Sequence, residues 1–327
     1  MRYLVTGGLG FIGSHFIECL LNDLNTEFVL NIDSGSYAAN KNFKPRDARY
    51  DLLLADIGDS FKIKRISNDL SFDVVVNFAS HSHVDKSILN PNEFIDNNVK
   101  SFFNFLEACR YWKNKNQFKK FVHISTDEVF GDLTDSNEES FSEDSQFKPS
   151  SAYSASKAAQ EMFLHSARKM HSLPVNILRL CNNFGPRQFE EKFIPTVIKN
   201  ILSQQEVPVY GDGNQVREWI YVKDACEKIK SVCLNLDDFN DYGIGSGECK
   251  SNLEVVHQVN NLVHGSKTPK ISFVKDRLGH DRKYKLDSSK FYLNYKKFDR
   301  GFNEGLKATV QHFICEEALS HLSNAEA

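Results

Sequence analysis

Apolar residues along the chain fall into short continuous runs separated by stretches of helical spacing. Runs at 2–6, 27–33, 73–79, 119–124 and 175–180 read as strands, and a further strand ends at 54–57. The run Asp73-Val74-Val75-Val76-Asn77-Phe78-Ala79 is continuous rather than alternating, as a parallel strand buried on both faces requires. Between the runs, helical patterns extend to about residue 24 and over 91–112 and 151–170. This alternation predicts an α/β protein with a doubly wound parallel sheet. Beyond 181 the order changes: 193–202 reads as helix, 207–210 as short and extended, and 217–222 as a strand leading into a helix from 224. Helices follow at 252–263 and 301–317, with a polar, basic stretch at 276–284 between them. The pattern therefore predicts a first domain over 1–181 and a smaller C-terminal α/β domain over 182–327. Segments of the second are expected to cross back to the sheet, leaving a cleft between the two.

The first strand runs into Gly7-Gly8-Leu9-Gly10-Phe11-Ile12-Gly13-Ser14. Glycines at 7, 10 and 13 let the backbone approach a pyrophosphate, whose charge then meets the positive end of the following helix. Alone, such a triplet also serves as a tight turn with no ligand. Asp33 closes the next strand 20 positions after Gly13. There a carboxylate meets the adenosine ribose hydroxyls and repels a 2′-phosphate, which favours NAD over NADP. Asp56, ending the third strand, is placed to meet the adenine edge. Together these make the sheet Rossmann-type.

The strand at 119–124 delivers Ser125, Thr126, Asp127 and Glu128 to its carboxyl end, where open α/β sheets bind ligands. Tyr153 and Lys157 lie four apart on one helix face. A lysine one turn from a tyrosine is expected to lower the phenol's pKa and make it a usable base. Each feature has an ordinary alternative, since such pairs are common on solvated helix faces and loops. Their combination with the amino-terminal glycines singles out this stretch.

Composition narrows the function further. The 327 residues are 41% hydrophobic and 25% charged with a net charge of -3 and a pI near 6.4, so no global positive field draws the chain to nucleic acid or an anionic membrane. Seven cysteines, an odd number without C-x-x-C spacing, read as reduced thiols of a cytoplasmic protein rather than a metal site. The first strand begins within two residues of Met1, so no signal peptide is expected, and no apolar run approaches membrane-spanning length.

Motifs at 7–14, 82–85, 125–131, 153–157, 182–186, 191–195, 211–221 and 276–282 together resemble an extended short-chain dehydrogenase/reductase. More narrowly they resemble a nucleotide-sugar 4,6-dehydratase of the dTDP-glucose 4,6-dehydratase type. Ser125-Thr126-Asp127-Glu128-Val129 is the most specific of them, because related sugar epimerases lack the Asp-Glu pair. The resemblance implies NAD bound by Gly7, Gly10, Phe11, Ile12, Gly13, Asp33, Ser34, Asp56, Ile57, Ala79, Ser80, Asn97, Tyr153, Lys157 and Asn183. It implies a nucleotide sugar bound by Ser82, Thr126, Asn182, Lys192, Phe193, Pro208, Tyr210, Arg217, Asn252, Arg277 and His280, with the two arginines neutralising the diphosphate. It also implies that Tyr153, aided by Lys157 and Thr126, removes the O4 proton, that Glu128 takes the C5 proton, and that Asp127 protonates the departing C6 hydroxyl. Elimination of water needs two carboxyl groups of opposite protonation state, which simple hydride transfer does not.

The departures from the family pattern are Phe130 for tyrosine, His81 for glutamate, Asn97 for threonine and Ala152 for proline; none removes a catalytic group. The family's homodimer implies pairing through the helices at 91–112 and 151–170, to which Phe102, Phe105, Leu106, Met162 and Phe163 can contribute unless they are intrachain core. The segment 211–222 reads closer to dTDP-glucose than to UDP-glucose enzymes. A sugar 4-epimerase or decarboxylase is opposed by Asp127 and Glu128, and a non-catalytic NAD-binding regulator by the intact Thr126, Tyr153 and Lys157.

Overall fold

The computed structural model describes residues 1–325 apart from 138 and 266. The chain opens with β1 (Arg2–Thr6), α1 (Phe11–Leu21), β2 (Phe28–Asp33), β3 (Tyr50–Leu54), α2 (Ser60–Asp69) and β4 (Val74–Asn77). It continues with α3 (Val84–Leu89), α4 (Pro91–Phe94), α5 (Phe102–Asn114), β5 (Lys120–Thr126), α6 (Ala152–His171) and β6 (Val175–Leu180). Next come β7 (Asn182–Phe184), α7 (Phe193–Leu202), β8 (Val207–Tyr210), β9 (Val216–Tyr221), α8 (Val222–Leu234) and β10 (Tyr242–Ile244). The last elements are β11 (Cys249–Ser251), α9 (Asn252–His264), β12 (Ile271–Val274), α10 (Ser289–Asn294) and α11 (Phe302–Ala325).

Seven strands form one parallel sheet in the order β10-β6-β5-β4-β1-β2-β3. Every residue of β4 and β5 is buried, the polar Asn77, Lys120, His123, Ser125 and Thr126 included. Side chains of α1 and α8, among them Phe16, Leu20 and Ile229, cover one face. Those of α2, α5 and α6, among them Ile63, Phe105 and Leu164, cover the other. Strand order reverses between β1 and β4, and the carboxyl ends diverge there into a cleft. Residues 222–244 supply α8 and the outer strand β10, so this part of the chain returns to the sheet. Two smaller sheets have the orders β11-β9-β7 and β12-β8, and β7 brings Asn182 and Asn183 to the cleft.

Two expectations need correction. The helix expected over 91–112 is interrupted by a π-helical turn, Ile95–Ser101. Asn98 explains the widening: its side chain accepts from His81 N–H at 2.8 Å and donates to His81 C=O at 2.9 Å and to the Ser156 hydroxyl at 2.9 Å, while its carbonyl accepts from Gln160 Nε2 at 2.6 Å. The second concerns the pairing face. Phe102, Phe105 and Leu106 are buried against the sheet, because α5 turns that stripe inward. The apolar residues left outward on these stretches are Ile95, Phe103, Tyr111, Met162 and Met170; of these Ile95, Phe103 and Met162 are 47%, 41% and 51% exposed, with Phe103 packed 5.0 Å from the Phe163 ring.

Candidate active site

Gly7 lies at φ +72°, and a Cβ there would stand 2.6 Å from the Ala79 nitrogen; a Cβ on Gly13 would stand 2.4 Å from the Gly7 carbonyl oxygen. Only glycine allows this close passage, and no side chain caps the α1 N-terminus behind it. At the end of β2, Asp33 accepts from Leu9 N–H at 2.9 Å and Gly35 N–H at 2.8 Å, and burial raises its pKa. A bare turn, an open helix end and a held carboxylate fit a dinucleotide's pyrophosphate and adenosine ribose.

These groups open into a cavity of about 310 Å³ at the carboxyl edge of the sheet. Every expected cofactor residue lines it, from Gly7, Gly10, Phe11, Ile12 and Gly13 through Asp33, Ser34, Asp56, Ile57, Ala79, Ser80 and Asn97 to Asn183. Thr126, Asp127, Glu128, Tyr153 and Lys157 line the same cavity. The sheet ladder ends at Thr126, whose hydroxyl accepts from Glu128 N–H at 3.3 Å and starts the 3₁₀ turn Asp127–Phe130. Asp127 is buried, and its Oδ2 has no hydrogen-bond partner among the described residues. Burial first, then Glu128 and Glu218, hold its carboxyl well above the usual range. Glu128 is also raised by burial, but Arg277, Lys192 and Arg217 pull it back. Both carboxyls are thus raised, Asp127 the more strongly, because three cations offset part of the burial at Glu128, and Glu128 is the first of the pair to ionise.

A capping box from Ser151 and Ser154 starts α6 and orients Tyr153 and Lys157 toward the cavity. Here a sequence expectation fails. Lys157 Nζ donates to the Ile124 carbonyl at 2.8 Å and Gln160 Oε1 at 2.6 Å and lies 3.3 Å from His123 Nε2. Burial presses its pKa down to about 7, against the pull of Glu161. The Tyr153 phenol is raised, by burial and then Glu128, and the hydrogen bond with Thr126 is its lowering influence. In the protein alone the lysine's charge is spent on its own neighbours, and the phenol is tuned by Thr126 instead.

Of the expected substrate residues, Ser82, Thr126, Asn182 and Lys192 line the cavity, whereas Phe193, Pro208, Tyr210, Arg217, Asn252, Arg277 and His280 lie outside its lining. Arg217 is buried, donating to the Asp281 carbonyl at 2.8 Å and stacking 4.6 Å from the Tyr284 ring. Arg277 reaches Asp85 at 3.7 Å, and Lys192 donates to the Ser82 carbonyl at 2.8 Å. His280 meets Asp276 at 2.6 Å, and burial and Arg277 push its pKa down to about 4. Phe193 stacks on Trp219 at 6.3 Å, Asn252 reaches Gln215 at 3.5 Å, and Tyr210 stays 40% exposed beside Pro208 on β8. His81 lines the cavity with its Nδ1 3.2 Å from Glu93, and burial lowers its pKa.

The sequence reading missed Tyr37, Gln188, Phe189 and Glu191, which also line the cavity. The Tyr37 hydroxyl donates to Glu191 at 3.0 Å, and Lys86 bridges the two, 2.9 Å from Glu191 and 3.3 Å above the Tyr37 ring. These residues sit in loops without periodicity; the signals were the closeness of Tyr37 to Asp33 and of Gln188 and Phe189 to Lys192, and the place of Glu191 in the 191–195 motif.

Comparison with known proteins agrees with this geometry. The chain is similar to a Haloferax volcanii protein described as "Low-salt glycan biosynthesis protein Agl12", with 38% identity covering 97% of this chain and 100% of that one. It is similar to the dTDP-glucose 4,6-dehydratase of Salmonella typhimurium, with 37% identity over 96% of this chain and 93% of that one. In structure it is similar to DesIV, the dTDP-glucose 4,6-dehydratase of Streptomyces venezuelae crystallised with NAD and TYD bound, with a TM-score of 0.90, 34% identity and 98% coverage of both chains. With residues 4–308 matched by the model described as GDP-mannose 4,6 dehydratase, the chain belongs to the family of NAD-dependent nucleotide-sugar 4,6-dehydratases.

Proposed function

We propose that the chain removes water from a nucleoside-diphosphate glucose, dTDP-glucose before UDP-glucose, to give the 4-keto-6-deoxy sugar. The observation that carries this reading is a pair of neighbouring buried carboxyls unequally raised: Asp127 held well above the carboxylate range, Glu128 raised less because three cations offset part of its burial. A 4-epimerase has no use for such a pair. Gly7, Gly10 and Gly13 with the α1 N-terminus hold the cofactor pyrophosphate, and Asp33 the ribose. NAD, when bound, supplies a hydride acceptor for C4 and returns the hydride at C6. Tyr153 takes the O4 proton, with the Thr126 hydroxyl donating to the same oxygen and Lys157 completing the group. Once C4 is a ketone, the C5 hydrogen is acidic, and Glu128 removes it. Asp127 gives its proton to the C6 hydroxyl, which leaves as water and yields a 4-keto-5,6-ene. Glu128 then returns a proton to C5. Arg217 and Arg277 face the diphosphate, a task suited to guanidinium forks. Lys192 and Asn182 contact the sugar, and Tyr210 and Asn252 the nucleoside.

We read residues 1–181 as the NAD-binding domain and 182–327 as the nucleotide-sugar domain, with 222–244 returning to the sheet. Among the described residues no helix is long and apolar enough to cross a membrane, and the seven cysteines are all free, which supports a cytoplasmic enzyme. The outward residues Ile95, Phe103 and Met162 support a homodimer through the α5 and α6 faces. Sedimentation of the wild type at micromolar concentration is expected to show a dimer, and Phe103→Glu with Met162→Glu to show a monomer. A wild-type monomer would remove the pairing.

The deciding assay is incubation with dTDP-glucose followed by alkali, which develops the absorbance of a 4-keto-6-deoxy sugar and not that of an epimer. Thymine differs from uracil by one methyl, worth about 1–3 kcal/mol in an apolar pocket. We therefore expect kcat/KM for dTDP-glucose to exceed that for UDP-glucose by roughly 10-fold or more. The reverse preference would change the substrate and leave the chemistry standing.

A further inference from the structure

Behind the catalytic groups lies a buried ion pair that the mechanism above does not use. Glu161 and Arg179 are 0% and 2% exposed, with Arg179 Nη2 and Nε donating to Glu161 Oε2 at 2.6 and 3.0 Å. Desolvation largely offsets the attraction in such a pair, so stability is a weak reason for it. Its contacts suggest another. The hydroxyl of Ser125, the residue before Thr126, donates to Glu161 Oε1 at 2.5 Å. The Arg179 guanidinium lies against the Phe130 and Phe147 rings, 5.2 and 5.4 Å from their centres, and Phe130 ends the 3₁₀ turn that carries Asp127 and Glu128. Glu161 follows Tyr153 and Lys157 at four-residue steps along one face of α6. The pair therefore touches the strand before the two carboxyls, the ring after them, and the helix bearing the phenol and the ammonium.

We propose that Glu161 and Arg179 are positioning residues that hold the turn bearing Asp127 and Glu128 in register with the face of α6 bearing Tyr153 and Lys157. The inference rests on the dehydratase reading. The opposite charges have a purpose in it. A lone guanidinium behind the turn would pull the Asp127 carboxyl down, as Arg217 does in part. Glu161, 2.6 Å away, cancels that field, so the turn gains a rigid backing while Asp127 keeps its proton. Thr126 is held by the ladder to β6 in any case, so loss of the backing falls on elimination rather than on the O4 proton transfer.

The test is a single turnover of the NAD-loaded enzyme with dTDP-glucose, following the rise of NADH absorbance (oxidation at C4) and its decay (elimination and return), with melting temperatures alongside. Arg179→Met is expected to slow the decay about 10-fold or more while the rise stays within about 3-fold of wild type. Arg179→Lys, which keeps the charge toward Glu161, is expected to recover most of the decay rate. Ser125→Ala, which cuts the hydroxyl link and leaves the ion pair, should slow the decay about 3-fold. If Arg179→Met does not fold, Ser125→Ala and Phe130→Leu decide in the same assay. Rise and decay slowing in parallel, or a Ser125→Ala decay equal to wild type, would overturn the proposal. Absence of any 4-keto-6-deoxy product from the wild type would instead overturn the dehydratase reading.

Discussion

Asp127→Asn is expected to lower turnover of dTDP-glucose by about 10²–10⁴-fold while leaving the first oxidation nearly intact, so that NADH absorbance rises and then persists. Asparagine keeps the size and the contact with Thr126 but has no proton to give the C6 hydroxyl. Glu128→Gln is expected to stall at the same stage for the complementary reason, having no base for C5. The pH dependence of the decay phase follows from the environments. Its rate should climb as Glu128 loses its proton, then fall once Asp127 loses the proton it must donate. A stability effect accompanies this. The folded pKa of Asp127 is raised above its unfolded value, so its contribution is most favourable at low pH and is lost as pH rises through the folded value. Asp127→Asn should therefore melt about 1–3 °C above wild type at neutral pH, with the gap widening as pH increases. If both variants abolished the initial NADH signal, the assignment of Asp127 and Glu128 to elimination would be wrong.

Gly13→Ala is expected to weaken NAD binding by about 100-fold or more and to yield protein purified without cofactor. The added Cβ would stand 2.4 Å from the Gly7 carbonyl oxygen and 2.9 Å from Gly8 Cα, both backbone atoms of the cradle. The turn must move as a unit, away from the path of the pyrophosphate. Calorimetric titration with NAD measures the loss, and circular dichroism checks that the sheet remains. Unchanged cofactor content would remove this turn from the binding site. Gly7→Ala is a poorer probe, because φ +72° adds backbone strain to the clash.

The parts of the protein legible in the sequence are those whose physics is local. β4 and β5 are buried on both faces and carry apolar runs at Val74-Val75-Val76 and Phe121-Val122, and α7 and β6 carry their own periodicity, so the sequence places them to within a residue or two. The glycine turn, Asp33, the Thr126 to Glu128 stretch and the pair of Tyr153 and Lys157 could be placed because their spacing alone puts them at strand ends and on one helix turn. Tertiary structure decided the rest. β7, β10 and β11 are three residues each and β12 four, too short to carry a period, and they are strands because a partner edge takes up their hydrogen bonds. The π turn exists because Asn98 bonds to His81 and Gln160, residues remote in sequence. Phe102, Phe105 and Leu106 had an apolar stripe's spacing, but only packing against the sheet chose core over an outer face. Proximity of Lys157 to Tyr153 was correctly read, yet its charge goes to Ile124 and Gln160, because a buried ammonium bonds to whatever acceptors the fold brings nearest.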